Sequence, residues 1–113
     1  MGVEKEKSDR VASLLGREPR GLEDISVEAD DGEPVVIRVA SLVDDEPFPT
    51  LFWLVDPGLC YRIDQLEAAG MIKAFQQRID ADATLQARMR DDHRAYIALR
   101  RRFMSPTVKA RLR

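Results

Sequence analysis

One hundred and thirteen residues make one domain with a single core and leave no length for a second. Hydrophobic content of 44% beside 34% charged residues excludes a disordered chain, and the longest apolar run, Leu51 to Val55, is far short of the roughly 20 residues that span a bilayer. The net charge of −2 hides an asymmetry: residues 1–56 carry 6 basic and 14 acidic side chains and residues 57–113 carry 12 and 6, an imbalance unlike a uniformly basic nucleic-acid domain.

The N-terminus, Met1-Gly2-Val3-Glu4-Lys5, has charge where a signal peptide needs an apolar stretch, and a cytoplasmic location is the expectation. Ser8 to Leu15 reads as a short helix with Ser8 as cap, Val11, Leu14 and Leu15 on one face, and Gly16 as terminator. Arg17-Glu18-Pro19-Arg20-Gly21 cannot continue it and forms a loop. Two guanidinium groups on a stiff, glycine-bounded loop suit a phosphate or carboxylate, which makes Arg17 and Arg20 the first candidates for anion binding.

Apolar residues alternate in Ile25-Ser26-Val27-Glu28-Ala29, the mark of a half-buried strand. Asp30-Asp31-Gly32-Glu33-Pro34 is turn chemistry, and Val35 to Val39 returns as a second strand with Val35, Ile37 and Val39 inward and Arg38 outward. Asp44-Asp45-Glu46 reads as another polar turn. Pro47 and Pro49 then hold the backbone extended into Leu51 to Val55, a third, antiparallel strand expected to be buried on both faces. Side chains alternate along a strand, so Phe52 and Trp53 point to opposite faces. One of them is either covered by the N-terminal helix or open to a partner, and with Phe48 they are the candidate interface residues.

Asp56-Pro57 is a helix start, with the carboxylate as cap and proline at the first position. Leu59, Ile63 and Leu66 share a face before Gly70; Met71, Ile72, Phe75 and Ile79 continue on a new segment. Asp80 or Asp82 caps a last, long helix with Leu85, Met89, Tyr96, Leu99 and Phe103 in one stripe, ended by Ser105-Pro106. These stripes are expected to hold the domain together. The whole is therefore one α+β domain over 1–113: a small antiparallel sheet of about three strands, a short N-terminal helix and a C-terminal helical half ending in one long helix, with flexible ends at about 1–7 and 105–113.

Four segments in order, Leu15-Gly16-Arg17-x-Pro19-Arg20-Gly21, Pro47-Phe48-Pro49-Thr50, Leu66-Glu67-Ala68-Ala69-Gly70 and His93-x-x-Tyr96, carry a resemblance. Over about residues 10–100 the chain resembles the uncharacterised bacterial family called domain of unknown function 501. The resemblance implies a fold and no activity. Many family members carry hairpin cysteines and a glycine-rich C-terminal segment with a Lys-Cys-Leu-His-like motif. Neither is present here, so if the family has a centre in those segments, this protein is expected either to lack it or to be a shortened version.

No catalytic constellation is legible. His93 is the one histidine and the one natural general base near neutral pH, but Asp92 projects about 100° away from it on a helix. Cys60 is the sole cysteine, which excludes an intrachain disulfide and a cysteine zinc cage, and its neighbours Leu59 and Ile63 favour a small apolar role. The acidic turns lack the alternating ligands of a calcium loop, and no cofactor or phosphate-loop motif occurs. The favoured function is a non-enzymatic protein-interaction module, partnered by another protein or by itself. The alternatives are polyanion binding through Arg100, Arg101, Arg102, Lys109 and Arg111, disfavoured by the acidic N-terminal half, and a small-anion enzyme using Arg17, Arg20 and His93.

Overall fold

The computed structural model describes residues 3–112 and divides into two compact units. One comprises the chain up to Cys60 together with the segment from Met104; the other is Tyr61–Phe103. In the first unit, helix α1 spans Lys5–Leu15 and strands β1, β2 and β5 span Leu22–Glu28, Pro34–Val39 and Phe52–Leu54. A separate two-stranded ribbon is made by β3 (Leu42–Val43) and β4 (Glu46–Pro47).

Helix α1 begins a turn earlier than Ser8. Glu4 stands at the cap, its carbonyl accepting from the Ser8 N–H at 2.9 Å, so Ser8 lies inside the helix rather than capping it. Gly16 ends it in the left-handed region at φ 74°, where the Arg17 N–H returns to the Ala12 carbonyl at 3.1 Å. Lys7 reaches Glu28 at 2.8 Å and Arg10 reaches Glu33 at 2.7 Å, so two ion pairs on successive turns lay α1 along the β1–β2 hairpin.

The three-stranded sheet is antiparallel with β2 in the centre. Ile25, Ile37 and Trp53 stand opposite one another across it, as do Val27, Val36 and Leu54. The first row faces α1. Val11, Ile37, Val39 and Val55 form the buried cluster, with Leu14, Leu15, Leu22, Ile25, Phe48 and Trp53 packed against it. Two expectations change here. The register shifts between Ile25 and Val27, so Val27 pairs with Val36 on the other face and is 48% exposed, and the strict alternation read from β1 fails at this bulge. The third strand is buried on one face, not both: Leu51 and Val55 are buried while Phe52 on the other face is exposed.

In the second unit and its flanks, α2 spans Pro57–Ala68, α3 Met71–Asp80, α4 Ala83–Arg102 and α5 Pro106–Arg111. The Leu59 N–H donates to Asp56 Oδ1 at 2.9 Å, and Asp82 caps α4 by accepting from the Thr84 and Leu85 N–H groups at 2.9 and 3.2 Å. Gly70, at φ 86°, separates α2 from α3. Ser105-Pro106 does more than end a helix. Ser105 Oγ accepts from the Val108 N–H at 3.2 Å and starts α5, so helix runs from Lys5 at one end and over Pro106–Arg111 at the other.

The helical stripes do not bury. Among the described residues, none in α2, α3, α4 or α5 is buried; Leu66 is 53% exposed, Ile72 63% and Phe75 52%. The expectation that these stripes hold the protein together is thus corrected: the core lies between α1 and the sheet. So short a helical segment has too few layers to enclose a core of its own.

Candidate functional site

Two tight loops of the first unit build a cleft. One is the Arg17–Gly21 segment between α1 and β1, where the Arg20 N–H bonds the Glu18 carbonyl at 3.0 Å and the Leu22 N–H bonds that of Pro19 at 3.2 Å. The other is the β3–β4 hairpin, turned by Asp44 and Asp45 at φ 51° and 64°, the positive angles that a two-residue hairpin turn of this hand demands. They meet at Gly21. A Cβ there would lie 2.6 Å from Val43 Cγ2, and the glycine itself sits at φ 72°. Only a residue without a side chain allows this approach.

Arg20 crosses the junction to Asp44 at 3.2 Å, both side chains being well exposed. The floor is aromatic: Phe48 and Trp53 have ring centroids 5.3 Å apart at 32°, and the Arg17 guanidinium lies over the Trp53 ring at 5.4 Å. The cleft so enclosed has a volume of about 520 Å³ and is lined by Arg17, Glu18, Arg20, Val43, Asp44, Glu46, Phe48 and Trp53. Among the described residues Glu18 and Glu46 have no ion pair, whereas Arg20 and Asp44 hold one another.

The structure therefore brings together residues that sequence reasoning had assigned to different roles, the arginines to an anion site and the aromatics to an interface. Phe52 lies on the opposite face of the sheet from Trp53. His93 belongs to α4 of the helical unit, whereas every residue lining the cleft belongs to the first unit. Val43, Asp44 and Glu46 went unforeseen as lining residues. The available signal was the Asp-Asp pair between extended residues, which is a hairpin turn as well as an acidic cluster.

On the other side of the same turn, Arg111 of α5 donates to both carboxylate oxygens of Asp45, Nε at 2.8 Å and Nη2 at 2.5 Å. This holds the Asp45 carboxyl below its usual range and raises Arg111. Glu28 and Glu33 likewise raise Lys7 and Arg10 through hydrogen bonds and charge. Of the remaining basic candidates, Arg100 and Lys109 are half-buried and Arg101 and Arg102 are exposed on the last turn of α4. Cys60 is half-buried, its thiol 3.5 Å from the Leu54 carbonyl it donates to. No group of three or more potential ligands among the described residues is placed to hold a metal ion, and no helix there is long and apolar enough to cross a membrane.

The architecture is that of an α+β protein carrying a charged, aromatic-floored cleft in its first unit. The chain belongs to DUF501, a family described as proteins of unknown function, whose model matches residues 25–113. The match takes in β1 from Ile25, β2, β5, the β3–β4 hairpin and all of α2 to α5; of the four segments that carried the resemblance, the one from Leu15 to Gly21 lies outside it. No curated protein and no solved structure matches the chain.

Proposed function

We propose that this chain is a protein-interaction module rather than an enzyme, and that it pairs with a second copy of itself through its helical unit. The observation that carries the reading is the unburied apolar surface of Tyr61–Phe103. Tyr61, Ile63, Leu66, Ile72, Phe75, Met89 and Ile97 are between 43% and 64% exposed, and no residue of α3 or α4 is buried. Ile63 with Leu66 and Ile72 with Phe75 are spaced to share helix faces, and Phe75 and Met89 line one groove of about 360 Å³ between α3 and α4.

Side chains of this size, half open to water, leave roughly 100 Å² each, which for seven approaches the ~800 Å² per partner of a standard interface. Polyanion binding has less support, because Arg111 is engaged by Asp45, Arg100 and Lys109 are half-buried, and Arg101 and Arg102 remain as the exposed pair on α4. The small-anion enzyme has less again, since the cleft holding Arg17 and Arg20 draws no lining residue from the unit that carries His93.

Sedimentation velocity across a concentration series tests the proposal. The expected result is a dimer whose dissociation constant rises at least tenfold when Ile72 and Phe75 are both changed to Asp, with the sheet signal in circular dichroism retained. A wild-type chain that stays monomeric at every concentration overturns it.

A further inference from the structure

We infer that the cleft beneath Arg17 binds a singly charged carboxylate attached to an apolar body, the chemistry shared by a peptide C-terminus and a small aryl or alkyl acid. Arg17 is the anchor. Its backbone is fixed by the left-handed Gly16 and the bond to Ala12, and its guanidinium carbon lies over the Trp53 ring, 5.4 Å from the centroid. A guanidinium presents its donors in one plane, the fork that a carboxylate accepts bidentately. Arg17 has no ion pair among the described residues, so those donors are not already taken by a carboxylate of the protein.

The rest of the cleft defines the body of the ligand and what is refused. Phe48, Trp53 and Val43 offer apolar surface beside the anchor, and a volume of about 520 Å³ lies within the range of small-ligand sites. Glu18, Asp44 and Glu46 line the same space and make its formal charge −1. These carboxylates repel a phosphate dianion about twice as strongly as a monoanionic carboxylate, which can accept from the unpaired Arg17 guanidinium. The cleft is built entirely within the first unit, so this inference is independent of the pairing proposed for the helices.

Trp53 is the sole tryptophan and forms the floor, so its fluorescence reports occupancy directly. The probes are N-acetyl-phenylalanine, its C-terminal amide, phenylacetate, a short peptide ending in Phe, and inorganic phosphate. N-acetyl-phenylalanine is expected to change the emission saturably, with the amide and phosphate giving no saturable change. Arg17→Lys, which keeps the charge but loses the fork, is expected to weaken binding about tenfold or more. Glu46→Gln, which removes one repelling charge, is expected to tighten carboxylate binding and to admit phosphate. Phenylacetate equal to the peptide marks a free small acid as the ligand class; peptide binding with phenylacetate silent marks a C-terminus. Equal binding of the amide, unchanged affinity in Arg17→Lys with its fold intact by circular dichroism, or no saturable response to any carboxylate overturns the inference.

Discussion

Asp45 and Arg111 stand 66 residues apart in sequence and share a two-pronged ion pair, joining the tip of the β3–β4 hairpin to the C-terminal helix. The neighbouring Asp44 of the same turn is held by Arg20. One two-residue turn is thereby tied on both sides, to the loop that walls the cleft and to α5.

The Asp45 pairing has a pH signature. Its folded-state pKa is depressed by the Arg111 hydrogen bonds, so the contribution is fully present above the ordinary aspartate value of ~3.9 and is lost as pH falls through the depressed folded value. Both side chains are largely exposed, which makes the effect local. The protection of α5 amides, measured against their intrinsic exchange at each pH, is expected to fall in that acid window in the wild type. In Asp45→Asn it should be low at every pH. Protection of α5 that ignores both the acid and the substitution refutes the clamp.

Gly21 and Gly16 make a matched pair. Both have positive φ, but a Cβ at Gly16 meets nothing within 4 Å while one at Gly21 strikes Val43. Gly16→Ala should cost about 1 kcal/mol from backbone strain alone. Gly21→Ala should cost about 1–3 kcal/mol more, as overpacking does. Urea unfolding of the two variants measures the difference, and equal losses would show that the loop and hairpin are not in close register.

Trp53→Ala should destabilise by about 2–4 kcal/mol, at or somewhat below the 3–5 of a fully buried aromatic because one side of the ring opens to the cleft. Phe52→Ala, on the other face of the strand, should cost about 1 kcal/mol. Circular dichroism in urea gives both values. The reverse order would mean that the core lies on the Phe52 face.

For duplex DNA at physiological salt, only weak, non-specific binding is expected. Each Lys or Arg on a phosphate adds about 0.9 to the slope of log affinity against log salt, so changing Arg101 and Arg102 to Gln should make it shallower by roughly 1.8. Arg111→Gln should change it little, because that guanidinium is occupied. Sub-micromolar binding abolished by Arg101→Gln with Arg102→Gln would reverse the ranking of functions.

The sheet, the Asp56-Pro57 start of α2, the Gly70 break and the Asp82 cap were legible because each rests on a few adjacent residues. What escaped depends on distance. The bulge that turns Val27 away from Ile25 is a property of pairing with β2, invisible to a rule of alternation. Apolar stripes at helical spacing state which face is greasy and not what meets it, so Leu66 and Phe75 were read as core. The cleft was half legible: Arg17 and Arg20 stood out on their loop, while Phe48 and Trp53 join them through the Gly21–Val43 contact, which links residues 22 apart.

The bulges of β1 have a consequence beyond packing. Strand order leaves β1 and β5 as the two free rims of the sheet, and β5 is only three residues long. Along the longer rim the pairing with β2 slips between Leu22 and Asp24, again between Ile25 and Val27, and again before Glu28, which breaks its backbone donors and acceptors out of even step. A rim so interrupted, and carrying Glu23, Asp24 and Glu28, is a poor template for another strand to zip against. Open-ended stacking of sheets, the route by which small α+β proteins grow into fibrils, is thus blocked at its starting point, and the molecule can leave apolar side chains on its helices without inviting polymerisation through its strands.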